Sequence, residues 1–161
     1  MNLKPNSLGA KLVVGGIVAF VVLSVAALLY GWATQPRTTL MLGDGVFKAE
    51  LAITPEKRAK GWAGVEDISS ERAIILAFPY EAKWEVVTQD MKTDIDIVWL
   101  DQYKEVVHMV KEAPPVVFND ESFEPLKTAL FVVELPAGTI DNRNIHIGAK
   151  AEFKHEQGDV R

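Results

Sequence analysis

Between Leu12 and Ala33 the chain runs through 22 residues without a charge, LVVGGIVAFVVLSVAALLYGWA. No charge interrupts the run on any face, so a helix built from it is not an amphipathic member of a globular core. Such a helix measures about 33 Å, against about 30 Å for a hydrocarbon core. The expectation is one transmembrane helix over 12–33, a signal anchor, preceded by a cytoplasmic tail of residues 1–11. Tyr30 and Trp32 stand at its far end, where amphipathic rings favour the membrane interface. Lys4, Lys11 and the amino terminus flank the near end, and Arg37 the far one. That basic excess puts the N-terminus in the cytoplasm and the domain outside it, at the cell membrane. Gly31-Trp32-Ala33 also suits signal peptidase, so a cleaved signal peptide stays open as the alternative. The run is longer than an ordinary signal-peptide h-region, which favours the retained anchor.

Residues 1–33 hold two of the 17 basic side chains and none of the 22 acidic ones, leaving the rest of the chain at net −7. A charge of that sign opposes nucleic acid and anionic lipid as partners. There is no cysteine, which excludes disulfides, thiolate metal sites and thiol catalysis. The domain is held by its core alone.

After a tether over 34–45, the pattern is that of a mainly β domain over 46–154 with one short helix, and a polar tail over 155–161. From Val46 to Ile53 the residues alternate, with Phe47, Ala49, Leu51 and Ile53 on one side and Lys48 and Glu50 on the other. Thr54-Pro55 then reads as an N-cap followed by proline at the first helical position. Glu56 follows in the first turn, basic residues follow later, and Gly61 marks the stop, predicting a helix over 55–60. Ala73 to Phe78 is apolar throughout, the mark of a strand buried on both faces. Further strands are expected over 83–89, 95–100, 105–111 and 128–135, with a hairpin turn at Asp101–Lys104 and a last strand pair over 145–153.

The segment VTQDMKTDIDIVWLD, Val87 to Asp101, carries the candidate chemistry. Asp90, Asp94 and Asp96 would share a face if the segment were extended throughout, a hard-oxygen pattern of the kind that binds Ca²⁺ or Mg²⁺. No turn glycine gathers them, and Val98 and Leu100 continue the face as core, so no metal site is assigned. Asp96 stands between two isoleucines and needs donors if buried. Arg58 is the expected partner, in a structural ion pair tying helix to sheet, with backbone amides of the Gly61–Gly64 loop as second choice. Trp84, Thr88, Gln89, Asp90 and Asp94 form the expected binding surface, rimmed by the loop over 113–125. His108 lies with Val106 and Val110 at a core margin, and His146 and His155 have no ligand spacing. No nucleophile elbow or phosphate loop occurs, so no catalytic residue and no cofactor are assigned.

Four blocks stand in a familiar order: TPEKRAKGW, AIILAF, MKTDIDIVWLDQYKEVVHMV, and LFVVELPAG followed by IHIGAKAEF. Together, from about Phe47 to Phe153, they resemble the domain of unknown function 192 family, an uncharacterised bacterial and archaeal family. Arg58, Asp96, Asp101, Glu134, Gly138 and Gly148 keep its residue types. Val87, Thr88, Gln89 and Asp90 stand where it commonly has Trp-Met-Lys-Asn, and Asp94 where it has proline. The resemblance implies a compact β-sandwich or barrel of jelly-roll kind, and no activity. The function expected is a non-catalytic binding or assembly module for a peptide, a glycan or a neighbouring membrane protein. The alternative is a small extracytoplasmic hydrolase or metal-dependent enzyme using Asp94, Asp96 and Arg58.

Overall fold

The structure is a computed structural model that describes residues 8–33, 36–116, 122–155 and 160. It divides into two units, Met1–Gln35 and Pro36–Arg161. The first unit contains one helix, α1 (Leu8–Ala33), with side chains described for residues 13–26. Val14, Ile17, Val18, Phe20 and Val21 are all exposed there. Among the described residues, no helix is long and apolar enough to cross a membrane.

The described residues of the second unit form six strands and two short helices: β1 (Arg37–Leu42), β2 (Gly45–Ala52), α2 (Pro55–Lys60), β3 (Arg72–Ala82), β4 (Ile95–Leu100), β5 (Val106–Ala113), β6 (Ala129–Pro136) and α3 (Thr139–Asn142). All six strands join one sheet in the order β1-β2-β3-β6-β4-β5. The pairing of β2 with β3 is parallel, and the other pairings are antiparallel. The expectation of a mainly β domain holds; in place of a sandwich of two facing sheets, its strands form a single mixed sheet. The parallel pair arises because α2 and the loop after it carry the chain from the end of β2 back to the start of β3. The expected tether is shorter too, since residues 37–42 already pair with β2. Residues 148–153 are not a regular hairpin. They bridge the two edge strands instead, exchanging backbone hydrogen bonds between Met41 and Glu152 on β1 and pairing with Lys104 and Val106 beside and in β5. The sheet is thereby closed in the manner of a barrel, and ladder groups of each edge are covered where the segment bonds.

Closure produces two cores, one on each face of the sheet. Leu40, Phe47, Ile75, Val98, Phe131, Val133 and Leu135 pack on one side. Trp62, Leu76, Phe78, Ile95, Ile97, Trp99 and Val132 pack on the other, under α2 and the loops after it. A strand covered on both faces has no solvent side, which is why IDIVWL is buried at every position.

Local chemistry accounts for α2. Thr54 accepts from the Lys57 amide through its hydroxyl, Pro55 opens the helix, and the Gly61 amide donates to the Lys57 carbonyl at its end. The stretch over 83–89 is not a strand. Apart from an isolated bridge between Val86 and Phe123, it is a covering loop. Its Trp84 stacks on Phe78 at 4.2 Å, donates its indole N–H to the Tyr80 carbonyl, and offers its own carbonyl to the indole of Trp99. Trp84 is therefore half-buried packing, and the exposed aromatic beside it is Tyr80.

Candidate functional site

Asp96 is fully buried in β4. One carboxylate oxygen accepts from the Glu112 amide at 2.8 Å and the other from the Ile140 amide at 2.7 Å. Glu112 lies in a bulge where β5 slips by one residue against β4, at a positive φ of 48°. Ile140 lies in the first turn of α3, whose own N-cap is Gly138 and has no side chain to offer. Asp96 therefore caps a helix and fills a bulge from the neighbouring strand. This corrects the expected pairing with Arg58. The Arg58 guanidinium donates to the carbonyls of Ile53 and Ala77 and lies over the Phe78 ring at 5.0 Å, on the opposite face of the sheet. The amides of the 61–64 loop are not the partners of Asp96 either.

The three aspartates do not share a face. Asp90 sits in a turn at φ 62°, Asp94 is exposed ahead of β4, and Asp96 is interior. Among the described residues no cluster of three metal-ligating side chains occurs. Thr88 also differs from expectation: it is buried, donating to the Pro114 carbonyl at 2.6 Å and accepting from the Val116 amide at 3.2 Å. It pins the covering loop down and presents nothing to a partner. The rim expected over 113–125 falls partly on 117–121, outside the described residues. His108 is half-buried beside Trp99, and burial holds its pKa below the ordinary histidine value.

A cleft of about 410 Å³ lies over the second core, between α2 and the loop 85–91. Gln89 and Asp90 line it, as does Arg58; Thr88, Trp84 and Asp94 do not. Leu76, Phe78, Val86 and Met91 form its apolar walls. The Gly64 amide donates to the Asp90 carbonyl at 2.9 Å and joins the two banks.

Glu134 lies at the base of this cleft, and sequence reasoning assigned it no role. It sits on β6, the strand between β3 and β4, opposite Ile74 on one side and Ile97 on the other. Alternation directs Phe131, Val133 and Leu135 into the first core, and so directs Glu134 with Val132 toward the second. Only 1% of its surface is exposed. Burial, opposed in part by a hydrogen bond from the Trp62 amide, pushes its pKa up to about 8 from an ordinary 4.5. Among the described residues the Oε2 atom has no hydrogen-bond partner. Gly61 stands directly over it at a positive φ of 41°, and a Cβ there would lie 2.7 Å from Oε2. A glycine is thus required both by the backbone and by the carboxyl beneath it. The signal was available in sequence: TALFVVEL holds one carboxylate in an apolar strand, just as IDIVWLD does.

The fold and this cleft define a small closed-sheet β domain that carries a buried acid under a surface opening. The chain belongs to the DUF192 family, described as Uncharacterized ACR, whose profile matches residues 38–153. No curated protein gives a significant match. Two solved structures share the fold. One is a protein from Sinorhizobium meliloti 1021 named as a candidate transcription regulator, 18% identical, with a TM-score of 0.65 over 73% of this chain and 92% of that one. The other is a protein of unknown function from Novosphingobium aromaticivorans DSM 12444, 21% identical, with a TM-score of 0.65 over 73% of this chain and 84% of that one. At such identities the likeness concerns the fold alone.

Proposed function

We propose that this chain is a binding module, displayed outside the cytoplasm on an N-terminal membrane anchor, whose cleft seats a small group of a ligand or partner against Glu134. One observation carries the reading. A buried carboxyl whose Oε2 has no hydrogen-bond partner among the described residues is costly unless something supplies one. The apolar walls and the polar lip of Gln89 and Asp90 are the ordinary composition of a small-ligand site. A fragment screen read by methyl NMR of the full chain in detergent micelles tests it. Saturable shifts confined to Leu76, Val86 and Met91 are expected. A screen in which no fragment moves those methyls refutes the reading.

The anchor rests on the uncharged run from Leu12 to Ala33 and the basic excess before it. Because the chain has no cysteine, single cysteines report its orientation. A membrane-impermeant maleimide on intact cells is expected to label Ser70→Cys, an exposed loop position, and not Asn2→Cys. Labelling only after lysis at both positions would place the domain inside.

A second reading has Glu134 exchange a proton with a bound substrate, since its raised pKa suits acid–base work near neutrality. The enzyme expected from Asp94, Asp96 and Arg58 has no such support, because these three residues do not converge.

A further inference from the structure

We propose that the cleft over Glu134 recognises an alkylammonium group, a protonated primary amine on an aliphatic stem, as carried by a lysine side chain or a free polyamine. This deepens the binding-module reading and rests on it. Among the described residues nothing donates to Oε2, so the ionised form of Glu134 lacks a hydrogen-bond donor there. Burial and the Trp62 amide are what act on this carboxyl, and no cation of the described residues is among them. A neutral donor would satisfy the hydrogen bond alone. An ammonium satisfies the hydrogen bond and supplies the missing counter-charge, the pairing a buried carboxylate needs.

The remainder of the cleft fits the same group. Leu76, Phe78, Val86 and Met91 suit a methylene stem. Glu85 and Asp90 stand on the 85–91 bank and attract a cation, with Gln89 between them. Arg58 and Lys60 stand on the α2 bank. The Arg58 charge is drawn to the Ile53 and Ala77 carbonyls and the Phe78 ring. The chemistry is an exchange without covalent change: the acid form of Glu134 gives its proton to solvent, and the ammonium keeps its three protons and pairs with the carboxylate.

The test is calorimetric titration of the full chain in detergent micelles with n-butylammonium, Nα-acetyl-lysine methylamide and spermidine, and with 1-butanol as the neutral control. Titrations in two buffers of different ionisation enthalpy count the protons released. Saturable amine binding near neutral pH is expected, with release of up to about one proton and affinity rising up to about tenfold per pH unit until Glu134 is ionised. Glu134→Gln is expected to lose at least about tenfold in affinity and all of the proton release. Similar affinity for the lysine amide and spermidine supports a lysine side chain as the natural source. A large preference for spermidine, reduced by Glu85→Gln and Asp90→Asn, supports a free polyamine. Equal binding of butanol and butylammonium overturns the proposal, as does amine binding that Glu134→Gln leaves unchanged. If no amine binds while other fragments still shift the cleft methyls, this inference falls and the binding-module reading stands.

Discussion

Glu134→Gln is expected to stabilise the folded chain in alkali and to leave it nearly unchanged in acid. The folded carboxyl has a pKa near 8, and the unfolded one near 4.5. Below 4.5 both states hold the proton and burial costs nothing in charge. Between about 4.5 and about 8 the unfolded chain loses its proton while the folded chain keeps it, so stability falls as pH rises. Above 8 the folded state carries a buried charge with one oxygen unpaired among the described residues. The full penalty then amounts to roughly 3–5 kcal/mol, taking 1.36 kcal/mol for each tenfold change in proton affinity. Glutamine keeps the shape and an acceptor for the Trp62 amide and never ionises. Urea denaturation at about pH 4 and about pH 9 checks this. The wild-type chain should lose stability between these pH values, and the variant should lose several kcal/mol less. Parallel profiles for the two proteins would show that Glu134 is not the acid described.

Asp96→Ala is expected to be among the most destabilising single changes in the domain, at roughly 3–5 kcal/mol. The side chain is wholly interior, and its removal strands two backbone amides, those of Glu112 and Ile140. It also uncaps α3, which has no capping side chain of its own. Asp96→Asn keeps one acceptor oxygen and turns an N–H₂ toward the other amide, so its loss should be smaller but still clear. The Arg58 pairing makes a different forecast. If Asp96 and Arg58 formed a pair, Asp96→Asn and Arg58→Gln would couple in a double-mutant cycle. They stand on opposite faces of the sheet, so their effects should add within about 0.5 kcal/mol. Denaturant unfolding of the four proteins decides between the two.

The contrast between Asp96 and Glu134 shows where sequence reading stops. Both are single carboxylates within apolar strands, and the same pattern marks both as needing an explanation. An acidic stretch leads into Asp96 and singles it out; Glu134 has no such neighbour and reads as one position in a strong strand. Local context named a helix cation as the partner of Asp96. Its actual partners are backbone N–H groups, which carry no residue identity and leave no trace in a sequence. Thr88 gives the same lesson: its neighbours made it look like surface, yet a loop 26 residues away buries it.

What the sequence determined by itself was short in range. The Thr54-Pro55 start and Gly61 stop set α2 at residues 55–60, because capping is decided within one turn. The unbroken apolar run AIILAF required a strand covered on both faces, since no other strand setting hides every side chain. The run from Leu12 to Ala33 stood apart from the β domain on hydropathy alone. Tertiary structure decided what depends on which strands are neighbours. With β6 between β3 and β4, Glu134 is carried to the middle of the sheet, under Gly61 and Trp62. Asp96 meets the Ile140 amide across 44 residues for the same reason. Strand order follows from how the whole chain closes its sheet and buries both cores, and no window of local sequence contains that.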